Sequence, residues 1–278
     1  MIRFLESIYH AVNRARRALY RRGILKAKRL PKPVISIGNI AAGGAGKTPC
    51  VIAVAKFLVA RGLRVCILTR GYGRSGAGGQ VDTLDAGRFG DEPVLIKKSV
   101  PEATVIVGKN RYENGLQVHC DVYLLDDGFQ HLQLHRDLDI VIDVDIDDAK
   151  ARFHREGRDA LRDADIVIPR RIRPENLASL RGKKVFAFAG LANNEQFFAM
   201  LRDAGADLIG ARGFPDHHDY GRIETALIQQ LARGAEVIVT TEKDAVKLAD
   251  RDMIPVAIEF VIEDAVLDRI AAVAHGPA

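Results

Sequence analysis

The stretch GNIAAGGAGKTP, Gly38 to Pro49, decides the fold. The usual phosphate-loop pattern G-x-x-x-x-G-K-[ST] asks for glycine five positions before Gly46, and Ala41 stands there. Its surroundings nevertheless suit a phosphate loop. An apolar run, Val34 to Gly38, predicts a strand leading into the glycine-rich turn, and a helix is expected to begin at Lys47-Thr48. Backbone N–H groups and the positive helix end then face the phosphates, and the lysine reaches the β and γ oxygens. Pro49 is tolerated because the first helical turn has no internal partner for its N–H. Gly43, Gly44, Ala45, Gly46, Lys47 and Thr48 are the expected nucleotide contacts.

Outward from this loop, short apolar runs alternate with helical stretches, which predicts a largely parallel sheet covered on both faces. Strands are expected at 34–38, 65–69, 104–107, 122–126, 140–144 and 166–169. The strand ending Asp126-Asp127 supplies the acids that a nucleotide site uses toward magnesium. The basic stretch Arg170 to Lys184 reads as a linker, and a second alternating series follows, with strands at 185–189, 208–211, 237–241 and 257–261. The expected fold is a P-loop NTPase-like three-layer α/β/α domain followed by a smaller Rossmann-like α/β lobe. The expected divisions are 1–30, 31–174 and 175–278.

The 278 residues suffice for one large or two ordinary domains. No run approaches the roughly 18 apolar residues of a membrane-spanning helix, and no signal-peptide core is present. Cys50, Cys66 and Cys120 form no C-x-x-C pair, so zinc and redox chemistry find no support. The net charge of +5 is uneven, with +8 in residues 1–30 and −3 in the remainder. Ile2, Leu5, Ile8, Tyr9, Val12, Ala15 and Leu19 share one face of an N-terminal helical wheel, and Arg3, Arg14, Arg17 and Arg21 the other. Such a helix lies in a membrane interface or docks on its own protein. Nucleic acid is disfavoured as a partner by the negative balance elsewhere and by the lack of an aromatic platform. A GTPase is disfavoured because TTEKDA does not fit the guanine signature. A P-loop ATPase working as a conformational switch stays open on these residues alone.

Several strings occur in one order: GNIAAGGAGKTP, RGYGR (70–74), GDEP (90–93), VGKNR (107–111), DDGFQH (126–131), RDLDIVIDVD, FPDHHDY (214–220) and TTEKDAVKL (240–248). The chain resembles the tetraacyldisaccharide 4'-kinases, the lipid A kinases of Gram-negative bacteria, over nearly its whole length. That family's loop reads GN-x-x-x-GG-x-GKTP, so its early glycine corresponds to Gly38. The resemblance implies ATP and Mg2+ as cofactors, and transfer of the γ-phosphoryl group to the 4'-hydroxyl of a glycolipid, tetraacyldisaccharide 1-phosphate. It implies peripheral attachment to the cytoplasmic face of the inner membrane.

Carried over by motif, Lys47 and Thr48 bind phosphates and metal, and Asp126 and Asp127 complete the metal site. Asp91 takes or orients the acceptor hydroxyl proton, with His217 or His218 as its partner from the second lobe. On composition alone, Asp91 reads sooner as a helix cap, and the two histidines as a surface turn or a fragmentary metal site with no third ligand placed by spacing. Substrate contacts are expected from Arg70, Tyr72 and Arg74, and from Asn39, Gln130 and Glu156. TTEKD reads as a strand end capping a helix. The chain departs from the family in its shorter length and in the segment 147–165, which lacks the family's proline-rich wording and keeps only Arg155-Glu156 of it.

Overall fold

A computed structural model describes residues 2–41, 44–71, 74–143, 155–248 and 252–276, with the side chains of 2–9 set aside. The first sheet contains β1 (Val34–Gly38), β2 (Val65–Thr69), β3 (Gly79–Gln80), β4 (Thr104–Val107), β5 (Val122–Asp126), β6 (Leu138–Asp143) and β7 (Ile166–Pro169). Their order is β3-β4-β2-β5-β1-β6-β7, parallel except for β3. β1, β2 and β5 are buried at every position, as strands covered on both faces must be. The helices along this lobe are α1 (Ile2–Arg21), α2 (Lys47–Val59), α3 (Ala86–Phe89), α4 (Asp91–Ser99) and α5 (Arg111–Leu116). The apolar residues of α2 and α4 fill the main core on one face of the sheet. Tyr123, Cys66 and Leu125 anchor a second core on the other. All three cysteines are buried and free.

The register places the chemistry. Ile37 of β1 pairs with Asp126 of β5, so the phosphate loop leaves its strand beside the acids that end the neighbouring one. The packing at the end of β1 explains why position 38 is glycine. A Cβ on Gly38 would lie 2.6 Å from Phe129 Cβ and 2.8 Å from Phe129 N. The backbone after Asp126-Asp127 therefore passes over the end of β1 in a space only glycine leaves open.

The second sheet runs β10-β9-β11-β12, all parallel. It comprises β9 (Lys184–Gly190), β10 (Asp207–Phe214), β11 (Val237–Thr241) and β12 (Met253–Val256), with α6 (Asn194–Asp203), α7 (Arg222–Leu231) and the short α8 (Glu242–Ala245). Its cores lie on both faces. The strand order reverses around β9, and the turns after β10 and β11 emerge at the carboxyl edge, where doubly wound sheets carry their sites.

The structure corrects the sequence reading at the junction between lobes. The stretch expected as a linker contains β8 (Ile172–Pro174) and a 3-10 turn (Leu177–Leu180) whose Leu180 is fully buried in a core of the second sheet. The strand expected at 257–261 forms as β13 (Ile258–Phe260), but it pairs antiparallel with β8 and not with the second sheet, whose last strand is the unexpected β12 just before it. From β13 the chain returns to the first lobe, where Phe260 and Ile270 and Ala274 of α9 (Asp264–Ala274) complete the main core. The residues expected as one lobe from 175 onward thus serve both cores.

Candidate active site

Gly46 caps α2 at its amino end, and its left-handed backbone (φ 79°) turns the loop into the helix. Lys47 Nζ lies 3.2 Å from Asn39 Oδ1 and 3.4 Å from Asp127 Oδ1, and Thr48 is buried beside it. Asn39, fully buried, donates from Nδ2 to the Ala41 carbonyl at 2.6 Å and accepts at its own carbonyl from Gln130 Nε2 at 2.9 Å. Asn39 and Gln130 thus brace the loop. Gly44 has φ 55° and Ala45 is buried. Gly43 and Tyr72 lie outside the described residues.

The two acids differ in environment. Asp126 accepts from Thr69 Oγ1 at 2.7 Å, and Arg111 donates to its carbonyl at 3.0 Å. Burial and the neighbouring Asp127 charge raise the Asp126 pKa. Burial would raise Asp127 too, but Lys47 and Arg155, then Arg111, outweigh it and hold Asp127 at about 2. Arg155 Nη1 donates to Asp127 Oδ2 at 2.6 Å. Asp127 adopts φ 51°, a left-handed backbone that aspartate tolerates when its surroundings hold it. Among the described residues no three His, Cys, Asp or Glu side chains gather as a metal cage. Magnesium needs none, since it binds through one or two carboxylates with phosphate oxygens and water. Asp127 Oδ1, buried and facing the Lys47 ammonium at 3.4 Å with no hydrogen bond formed, fits that role.

Asp91 opens α4 and is 4% exposed. It is reached from the second lobe by His217 Nδ1 at 3.0 Å from Oδ2, Lys247 Nζ at 3.2 Å and Lys243 Nζ at 3.8 Å. Burial alone would raise its pKa. The hydrogen bond from His217 and the charges of Lys243, His217 and Lys247 overcome this and hold Asp91 at about 2. The same hydrogen bond raises His217 against its own burial. His217 Nε2 faces Lys243 Nζ at 3.3 Å, and Lys243 in turn donates to Asp216 at 2.8 Å. The His218 ring does not join this cluster, although its carbonyl accepts from Lys247 Nζ at 3.1 Å. It stacks on Phe214 at a centroid distance of 4.7 Å and meets Tyr220 edge-on at 5.1 Å, against the aromatic core of the second sheet.

Three contributors escaped the sequence reading. TTEKDAVKL does cap its helix, with Thr241 Oγ1 accepting from Asp244 N, but the cap also aims Lys243 and Lys247, one helical turn apart, at Asp91. Their i, i+4 spacing was the available signal. Glu92 is the second: burial and then Asp126 raise its pKa, while Lys243 and Lys47 lower it, so it lies between the phosphate loop and the second lobe. Arg111, buried at the end of VGKNR, is the third. Among the expected substrate contacts, Arg70 is exposed, and Arg74 folds back onto the carbonyls of Arg70 and Gly76. Glu156 is 3% exposed and engaged by Arg17.

A family sequence model described as tetraacyldisaccharide-1-P 4'-kinase (LpxK) matches residues 1–179 and 149–275. The chain belongs to the tetraacyldisaccharide 4'-kinase family. A tetraacyldisaccharide 4'-kinase of Geobacter sulfurreducens is 38% identical over 87% of this chain and 82% of its own length. One from Desulfotalea psychrophila is 34% identical over 88% and 86%. Among solved structures, LpxK of Aquifex aeolicus, described as an "apo" form in complex with ATP, superposes with a TM-score of 0.79. It is 31% identical and covers 96% of this chain and 97% of that one. As a tetraacyldisaccharide 4'-kinase family member the chain is a kinase of P-loop fold, and no helix among its described residues is long and apolar enough to cross a membrane.

Proposed function

We propose that this chain transfers the γ-phosphoryl group of ATP to the 4'-hydroxyl of a tetraacyldisaccharide 1-phosphate at a membrane surface, with Asp91 and His217 as its proton-handling pair. The observation that carries this reading is the meeting of Asp91, from the phosphate-loop lobe, with His217 of the second lobe at 3.0 Å. Glu92, next in the chain, links that pair electrostatically to Lys47 and Asp126.

In this reading Lys47 and the loop amides hold the β and γ phosphates, and Lys47 offsets charge on the group being transferred. Thr48, Asp126 and Asp127 would hold Mg2+, which would supply neutralising positive charge beside the phosphates. Asp91 orients the acceptor hydroxyl and receives its proton, and His217 shares it. An aspartate held near pKa 2 is a weak base. Phosphoryl transfer asks little more, because positioning and charge neutralisation do most of the work. His218 has a packing role.

Attachment to the membrane is supported by the way α1 is mounted. Its polar side docks: Arg17 pairs with Glu156, Arg14 with Asp159 and Arg21 with Asp163. Its apolar side is left outward, with Val12 53% and Leu19 36% exposed, followed by Ile24 at 64%. A helix that only served the fold would bury these residues. Arginines that pair with the protein's own acids leave the lipid contact mainly to this apolar ridge.

Incubation with labelled ATP, Mg2+ and tetraacyldisaccharide 1-phosphate tests the assignment. Label is expected on the 4' position of the lipid. ATP hydrolysis with no label on the lipid would overturn it.

A further inference from the structure

The buried side of α1 is polar, and its central residue reaches further than helix docking requires. Arg17, 5% exposed, forms a fork on Glu156, with Nε 2.6 Å from Oε2 and Nη2 3.0 Å from Oε1. Nη2 also donates to the Phe129 carbonyl at 3.0 Å, and the guanidinium carbon lies 3.9 Å from the centroid of the Phe129 ring. Phe129 is two residues beyond Asp127. Glu156 is adjacent to Arg155, whose own guanidinium holds Asp127 at 2.6 Å. The backbone between these two side chains is fixed as well. The N–H groups of Arg155 and Glu156 both point to the Ile40 carbonyl in the phosphate loop, at 2.8 and 3.3 Å, and Asn13 of α1 donates to the Arg155 carbonyl at 3.0 Å.

We propose that Arg17 is a positioning residue for the metal-holding acids, locking Asp127 from both sides through Glu156-Arg155 and through Phe129. The inference rests on the reading of Asp127 as a metal ligand. Asp127 sits in a left-handed backbone conformation and needs such external constraint to keep its carboxylate aimed. Plain anchoring is served by the ion pairs with Glu156 and, at 3.6 Å, Asp163, for which lysine would suffice. The planar fork, the third bond to the carbonyl and the stack on the ring need arginine. The helix expected either to lie in a membrane interface or to dock on its own protein thus docks, and in docking braces the loop that carries Asp127.

The test is a Mn2+ titration of the full-length protein with a non-hydrolysable ATP analogue, read by water-proton relaxation. Replacing a buried ion pair by apolar residues of similar volume is tolerated, so Arg17→Met/Glu156→Met keeps the fold. Its half-saturating Mn2+ concentration is expected to rise roughly tenfold, as when an outer partner of a metal ligand is removed. Arg17→Lys should fall between the double variant and the wild type, and Arg64→Gln, which breaks the remote Arg64–Asp121 ion pair, should titrate as wild type. A double variant that melts earlier yet binds Mn2+ as the wild type does overturns the proposal and leaves Arg17 an anchor. If the double variant does not fold, Arg17→Lys carries the test: a shifted curve supports the proposal, and a superimposable one overturns it. Wild-type protein that takes up no Mn2+ with nucleotide would instead overturn the metal assignment on which the proposal stands.

Discussion

His217 and Asp91 are 126 positions apart and belong to different lobes, yet Nδ1 of one lies 3.0 Å from Oδ2 of the other. If they handle one proton together, their losses should not multiply. Asp91→Asn and His217→Asn are each expected to lower kcat by about 10²- to 10⁴-fold, the range of general acid–base catalysis. The double variant should lose little more than the worse single one, while the affinity for ATP holds. Steady-state kinetics on the four proteins checks this, and fully multiplicative losses would sink the paired role.

The pH dependence follows from the same pair. Asp91 is ionised throughout the neutral range, so the pair can accept a proton only when His217 is neutral. Since the hydrogen bond with Asp91 raises His217, kcat should climb with pH through an apparent pKa above the ordinary 6.5. His217→Asn should flatten that limb. A wild-type rate that falls through this region would reverse the assignment.

Stability responds at the other end of the scale. Asp91 has a folded pKa of about 2 against an ordinary 3.8, a depressed carboxylate. Its contribution, about 2 kcal/mol, is fully present above 3.8 and is lost as pH falls through 2. Lys247→Met removes the ammonium 3.2 Å away, so the loss should then begin at higher pH. Denaturant titrations of both proteins between pH 5 and 2, on the order of the carboxylate range, measure it.

Lys47→Ala should reduce transfer by about 10²- to 10³-fold with little change in melting temperature, because its ammonium acts on charge that develops in the transition state. Near wild-type turnover would remove this loop from the mechanism.

For the membrane, Val12→Asp/Leu19→Asp should weaken sedimentation with anionic vesicles while leaving the fold intact, since both positions face outward. Deleting residues 1–20 is a poorer test, because it also strips Arg17 from buried Glu156, and removing one member of such a pair costs about 3–5 kcal/mol. Undiminished vesicle binding by the double aspartate variant would place the lipid contact elsewhere.

The phosphate loop, the strand ending in Asp126-Asp127 and the alternation of both lobes were legible because each depends on local pattern: glycine where the backbone must turn, apolar runs where both faces are covered. Partnerships across long sequence distance were not. No periodicity separates His217 from His218. The choice appears only when Phe214 and Tyr220 enclose one ring and the interlobe contact takes the other. Arg17 looked like any arginine on a polar helix face, because its partners lie more than a hundred residues away. Lys243 and Lys247 were hidden behind a valid capping motif. At the lobe junction, the single residue Ala257 separates two strands of different sheets, too short a break for composition to register.

The ribbon of β8 and β13 gives the two lobes a mechanical property. Both covalent crossings between them run side by side, hydrogen-bonded from Ile172–Phe260 to Pro174–Ile258. Two joined strands bend across their plane but resist twist and sideways shear, whereas a single tether would allow rotation about any axis. Any relative movement of the lobes is thereby confined to one arc, along which His217 stays lined up with Asp91.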